Sequence, residues 1–240
     1  MAASDPRTGA DRQTGFGHPS ADHRSGLRER KKERTRADLV AAGLRLFHQD
    51  GFEQTTTERI ASETRVSQRT LFRYFATKSD IVLAGHREWQ QDFLGCLVER
   101  PRRESHWAAL VNASLQLLGE WGEHQMGEQM RIRELLDENP ALQAAFLQND
   151  RHFQDGLVEV LLARPGRQHL GGESLGGEHT RERGRVRLVV ATFSSVDEVA
   201  SQLWLEHADP TPRRRLELQR RCTDELPAAL AGNPDQGCAS

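Results

Sequence analysis

Apolar residues recur at intervals of three and four along most of the chain, the period of a helix with one buried face. The first stripe is Leu39, Gly43, Leu46 and Phe47, joined by Val40 and Leu44. It predicts a helix over 30–49, stopped by Gly51, a residue suited to the left-handed turn at a helix end. Gly43 lies inside that stripe at a helical cost of about 1 kcal/mol, so a close approach by another helix is expected there. Phe52 is expected to pack back on the same core.

Two short helices follow, over the stretch TTERIASETRVSQRTLFRYFATK from Thr56 to Lys78. Thr56 or Thr57 can cap the first, with Glu58 in its first turn and Ile60 and Ala61 buried. Ser67 can cap the second, which begins at Gln68 and turns Leu71 and Phe75 toward a core. Gln68, Arg69, Thr70 and Arg73 are left on the other side. Hydrogen-bonding side chains at the start of a second short helix are what a helix-turn-helix lays against base edges in the major groove.

The remainder reads as helices too. One is expected from Ser79 or Asp80 to Glu99, with Val82, Trp89, Phe93 and Leu97 inside and Pro101 ending it. Ser105 caps another to about Gly119, and a shorter one spans 122–137. Asn139-Pro140 opens a longer helix to about Ala163. The Gly-rich stretch 164–181 reads as a flexible connection. A helix over 185–206 follows, and Thr211-Pro212 starts the last, with Leu216, Cys222, Leu226 and Leu230 on its stripe. The expected fold is all-α. Residues 1–26 and 233–240 read as disordered tails, 27–80 as the helix-turn-helix domain and 81–232 as a second helical domain.

Composition narrows the partners. The formal net charge is −2, yet residues 27–80 carry 12 Lys+Arg against 8 Asp+Glu, while 81–240 carry 18 against 24. A basic module on an acidic body fits one face that meets nucleic acid. No apolar run approaches the roughly 18 residues of a membrane helix, and the start has no signal-peptide pattern, so a cytoplasmic protein is expected. The 3 cysteines are widely spaced and read as reduced thiols. The 10 histidines hold no HExxH spacing, GGESLGG has no phosphate-loop context, and no nucleophile motif occurs. Neither catalysis, a metal nor a cofactor is expected.

The run ERTRADLVAAGLRLFHQDGFEQTTTERIASETRVSQRTLFRYFATKSDIV, within residues 28–84, resembles the TetR family of bacterial one-component transcription repressors. Its marks are the glycine helix end, the Thr-rich cap, the IA pair, VS-x-x-TLF-x-YF and the Lys just beyond. The resemblance implies a homodimer with an N-terminal helix-turn-helix domain and a C-terminal domain for ligand binding and dimerisation. It implies DNA contacts by Thr56, Thr57, Ser67, Gln68, Arg69, Thr70, Phe72, Arg73, Tyr74 and Lys78. Arg69 suits guanine O6/N7 and Gln68 adenine N6/N7. Thr57, Arg73, Tyr74 and Lys78 suit phosphates. The basic run from Arg28 to Arg36 is either a backbone-tracking arm or a solvated face. Two departures stand out: Arg65 replaces the usual glycine before VS, and Phe72 replaces a common Tyr.

In the family a ligand tilts the fourth helix and respaces the two heads. Trp107, Trp121, Met126, Met130, Phe146 and Phe153 are candidates to line a pocket for a small apolar or aromatic effector, or are ordinary core. The last two helices imply a dimer interface through Val189, Phe193, Val196, Ala200, Leu203, Trp204 and Leu226; intramolecular packing is the alternative. RELLDENPAL and RVRLVV resemble an actinobacterial subgroup of the family. A regulator without an effector, or an enzyme fused to a DNA-binding head, are the other classes the pattern leaves open.

Overall fold

The computed structural model describes residues 21–164 and 177–231, and these residues form ten α-helices with no strand. The all-α expectation holds. α1 spans Ala21–Asp50, α2 Thr57–Glu63, α3 Gln68–Tyr74 and α4 Lys78–Val82. α1 begins earlier than expected and takes in residues 21–26, which the composition had placed in the tail. Helix growth explains this: once a nucleus exists, each added residue gains a hydrogen bond for its own dihedrals alone. The last proline before α1 is Pro19.

Gly43 and Gly51 do what their positions predict. A Cβ on Gly43 would lie 2.6 Å from Ile81 Cγ2, so its bare Cα lets α4 sit against α1. Gly51 ends α1 at φ 87°. The chain turns there, and Phe52 returns to pack on Phe47, the rings tilted by 50° with centroids 5.1 Å apart.

The single long helix expected over 79–99 is two. α4 ends at Leu83, where ψ is 4°, and α5 then runs Ala84–Glu99. The cap of α4 is Thr77 rather than Ser79 or Asp80, in a reciprocal capping box with Asp80. Leu83 is fully buried, so its packing holds the bend.

α6 (His106–Gly119), α7 (Glu123–Glu138), α8 (Pro140–Ala163) and α10 (Pro212–Leu230) begin at or next to the expected caps. α9 spans Gly177–Leu205, starting before the expected residue 185; of the predicted flexible connection, 165–176 lie outside the described residues. Residues 1–20 and 232–240 lie outside them as well.

Three apolar clusters hold the chain together. The first joins Leu39, Phe47, Ile60, Leu71 and Ile81 of the head to Ile132, Leu135 and Leu142 of α7 and α8. The expected boundary at 80/81 therefore does not divide the core; head and body share it. The second cluster lies among α5, α6, α8 and α9 around Phe93, Leu110, Leu157 and Phe193. The third holds Met126, Ala200, Trp204 and Leu218. Among the described residues no helix is long and apolar enough to cross a membrane.

Candidate nucleic-acid interface

The two short helices are set by their caps. Thr56 is extended and its hydroxyl accepts from Arg59 N at 3.2 Å, so Thr56 rather than Thr57 caps α2. Ser67 accepts from Thr70 N at 3.1 Å and caps α3. Leu71 is buried under α3, while Arg69, Phe72 and Arg73 are exposed. A helix of two turns thus offers its polar flank outward because its apolar positions are used within the head.

The turn between them is strained at one residue. Arg65 has φ 56°, the left-handed region where the family pattern has glycine. The tight turn is kept, and its backbone is tied by Arg65 N to Ser62 O at 3.0 Å and Val66 N to Ala61 O at 2.9 Å.

The polar residues of the interface differ in availability. Arg69 has no hydrogen bond or ion pair with the described residues and is exposed. Arg73 lies over the Tyr74 ring at 5.5 Å, which keeps both near the end of α3. Phe72 is 48% exposed on the same outer side as Arg69 and Arg73. Gln68, in contrast, donates its amide to Thr57 Oγ1 at 3.1 Å and to Glu58 Oε1 at 2.7 Å. Its carbonyl oxygen is left to meet a base. Glu58 lies below the usual carboxylate range because its own backbone N–H, then Gln68, then Thr56 hydrogen-bond it. The Thr70 hydroxyl pairs with Ser67 Oγ at 2.8 Å. Lys78 points back into the head: its ammonium donates to Phe52 O at 2.9 Å and Glu53 O at 3.3 Å and sits 4.6 Å above the Phe52 ring.

Within the basic run, Lys32 pairs with Glu29 at 3.0 Å and Arg36 pairs with Glu88 of α5. Arg28, Arg30, Lys31 and Arg34 are exposed along α1.

The six residues expected to line one pocket do not share one cluster. Phe146 packs on the first, Trp107 and Phe153 on the second, Met126 and Met130 on the third, and Trp121 is half-buried. A ring chain that sequence periodicity did not reveal connects part of the set. His86 stacks toward Trp89 at 6.0 Å and Phe146 at 4.8 Å, Trp89 meets Phe153 at 5.9 Å, and Phe193 meets Trp107 at 6.5 Å. The buried Trp89 Nε1 and Ser114 Oγ have no hydrogen-bond partner among the described residues. Such groups are costly unless something accepts or donates to them.

The expected dimer residues also need correction. Phe193, Val196, Ala200 and Trp204 are each no more than 6% exposed within one chain, and Val189 packs on the second cluster. The first four have almost no area left for a second copy, and Val189 is partly covered. Leu203 is exposed and Leu226 is half-buried. The same 3.6-residue period carries a second row on the adjoining flank of α9: Leu188 is 70%, Val199 47% and Leu203 44% exposed. A stripe at helical spacing does not say which of two stripes faces in.

Comparison with known proteins points to bacterial transcriptional regulators. A family model described as bacterial regulatory proteins, tetR family, matches residues 39–84. The HTH-type transcriptional regulator TcmR of Streptomyces glaucescens is 31% identical over 189 residues, covering 77% of this chain and 79% of the relative. The nucleoid occlusion factor SlmA of Pasteurella multocida is 27% identical over 142 residues, 58% of this chain and 71% of the relative. Among solved structures, Salmonella enterica GusR matches with TM-score 0.47 and 20% identity, covering 82% of this chain and 96% of that one.

Proposed function

The chain belongs to the TetR family of bacterial regulatory proteins and is a DNA-binding transcriptional regulator, and from that premise we propose that it is a homodimeric repressor released from a palindromic operator by a small aromatic or apolar effector. The observation that carries this reading is the exposed Arg69 on the outer flank of α3, unpaired among the described residues and presented beyond a head whose core continues into the body. Arg69 reads a guanine edge, while Arg73 and Tyr74 hold phosphates. Thr56, Thr57, Ser67 and Thr70 build the shape of this surface more than they read bases, since each hydroxyl is already bonded within the head. The exposed Phe72 ring is the group we assign to a thymine methyl.

Two heads reading one palindrome must lie on the order of 34–36 Å apart. The outward α9 stripe of Leu188, Val199 and Leu203 is the contact surface we assign to the second copy, because exposed apolar rows of this kind mark association sites. The effector seat is the ring chain of His86, Trp89 and Phe153, where the Trp89 N–H lacks an acceptor. Because Leu142 and Ile132 share a core with Ile81, a body shifted by ligand displaces the head. The shift is bounded by the ligand's differential affinity for the two forms.

The test is a gel shift on the DNA upstream of the protein's own gene, repeated with aromatic candidate ligands. A bound duplex released by a ligand that also quenches Trp89 fluorescence supports the reading. Binding that no ligand changes would leave a regulator that acts without an effector, a reading favoured by the spread of Phe146, Phe153 and Met126 over three clusters.

A further inference from the structure

One side-chain hydrogen-bond chain runs from the turn after α3 into the interior of the body. Asp80 Oδ2 accepts from Thr77 N at 2.8 Å and Thr77 Oγ1 at 2.9 Å. Its other oxygen accepts from Arg87 Nη1 at 2.7 Å. Arg87 Nε donates to Asn149 Oδ1 at 2.9 Å, and Asn149 Nδ2 donates to Gln90 Oε1 at 2.8 Å. Gln90 Nε2 lies 3.0 Å from His86 Nε2.

The polarity of this chain has one solution. Arg87 can only donate, so the Asn149 atom it meets is the carbonyl oxygen, and the Asn149 amide must donate onward. Gln90 then offers its own NH₂ to His86, whose Nε2 accepts and whose ring proton sits on Nδ1. Every group has one role, and reversing any amide would set two donors or two acceptors against each other.

The chain sits where apolar packing gives the least direction. Asp80 lies before the bend at Leu83 and Arg87 after it, so their contact staples α4 to α5 across a junction that has no side-chain cap. Asn149 then ties the staple to α8, 62 residues away in sequence. Apolar contacts at Leu83 resist separation but not sliding or rotation, whereas hydrogen bonds fix angle as well as distance. Burial works against the Asp80 charge, yet Arg87 and Thr77 together hold its carboxyl below the usual range.

We propose that Arg87 and Asn149 are positioning residues for DNA recognition, setting the angle of the head on the body through Asp80 so that α3 meets its groove in register. The role needs no effector and is separate from the effector reading above. A mere stabilising contact would change melting and leave the preference for operator over other DNA unchanged.

The experiment uses the full-length dimer and a duplex enriched from a random pool by the wild-type protein. Asn149→Leu keeps the number and branching of the side-chain heavy atoms and removes both hydrogen bonds. It is expected to lower operator affinity about tenfold, with the dimer intact, the salt slope unchanged and non-operator DNA bound as before. Asn149→Asp keeps the acceptor for Arg87; Gln90 then turns its amide to donate to the carboxylate while His86 takes the other tautomer, and most of that affinity is expected to return. Arg87→Met combined with Asn149→Leu should be no worse than Arg87→Met alone. Wild-type affinity in Asn149→Leu overturns the proposal. So does equal loss in Asn149→Leu and Asn149→Asp, or equal loss on operator and non-operator DNA. If Asn149→Leu does not fold, the Arg87→Met and Asn149→Asp pair decides by the same ratio of operator to non-operator affinity.

Discussion

Gln68 donates its amide to the carboxylate of Glu58 at 2.7 Å, tying the first residue of α3 to the first turn of α2. That bond separates two residues that look equivalent in sequence. Gln68 can offer a base only its carbonyl oxygen, which suits a donor such as adenine N6 or cytosine N4 and not the two-point adenine contact. Arg69 keeps its whole guanidinium. Arg69→Ala is therefore expected to lose about 1–3 kcal/mol of preference at one base pair. Gln68→Ala should lose less preference and more melting stability, through the broken link between the helices. Arg73→Ala should bind all duplexes more weakly and flatten the salt slope by about one. Lys78→Ala should act chiefly on stability, since its ammonium is held by Phe52 and Glu53 carbonyls. Fluorescence anisotropy across a set of single-base variants and salt concentrations separates these outcomes; equal base preference in Arg69→Ala and wild type removes the assignment.

Arg65 occupies the left-handed region at φ 56° and is exposed there. The left-handed conformation costs an L-residue roughly 1–2 kcal/mol, while glycine loses some backbone entropy in exchange. Arg65→Gly should raise stability by about 0.5–1 kcal/mol, visible as a higher denaturation midpoint with unchanged slope. Gly51→Ala, at φ 87°, should move the midpoint the opposite way. A drop in stability for Arg65→Gly would mean the arginine side chain supports the turn in some other manner.

The head was legible because its signals are local. Caps, a glycine terminator and an alternation of buried and exposed residues within one turn all act over a few positions, and Thr56, Ser67 and Gly51 do what those positions imply. The break at Leu83 was not legible, since Ala84, Gly85 and His86 continue a plausible helix and only long-range packing bends it. Gln90 and Asn149 belong to no apolar stripe, cap or motif, yet Gln90 is 5% exposed and accepts a hydrogen bond from Asn149 across two helices. A partner 59 residues away leaves no trace in a local pattern. The α9 stripe was found, but Phe193, Val196, Ala200 and Trp204 of it pack within the chain, and only Leu203 joins the exposed row of Leu188 and Val199 on the adjoining flank, because both rows satisfy the same period.

The two faces of α9 make distinct predictions. Val199→Asp or Leu188→Asp places a charge on a surface that is exposed in one chain, so the monomer should fold while association fails. Phe193→Asp buries a charge in the second cluster and should prevent folding. Light scattering with circular dichroism checks both. A Val199→Asp, Leu188→Asp double variant that stays dimeric would move the interface elsewhere. Loss of the dimer should also weaken operator binding steeply, because one head contacts only one half-site.

His86 offers a pH signature of the folded body. Burial pulls its imidazole down to about 4, with the Asp197 charge opposing and Arg87 adding to the effect. The unfolded chain takes up that proton near the ordinary value of 6.5, so between pH 6.5 and 4 the unfolded state binds more protons. Stability should therefore fall as pH drops through that window, by roughly 2–3 kcal/mol, and be unaffected by this group above it. His86→Gln keeps an acceptor for Gln90 and cannot titrate. Its stability curve should run parallel to wild type above pH 6.5 and diverge below, the variant losing less. Urea melts at half-unit pH steps give the difference curve, in which carboxylates common to both proteins cancel. A difference that stays constant from pH 7 to pH 4 would show that the ring is free to protonate in the folded state.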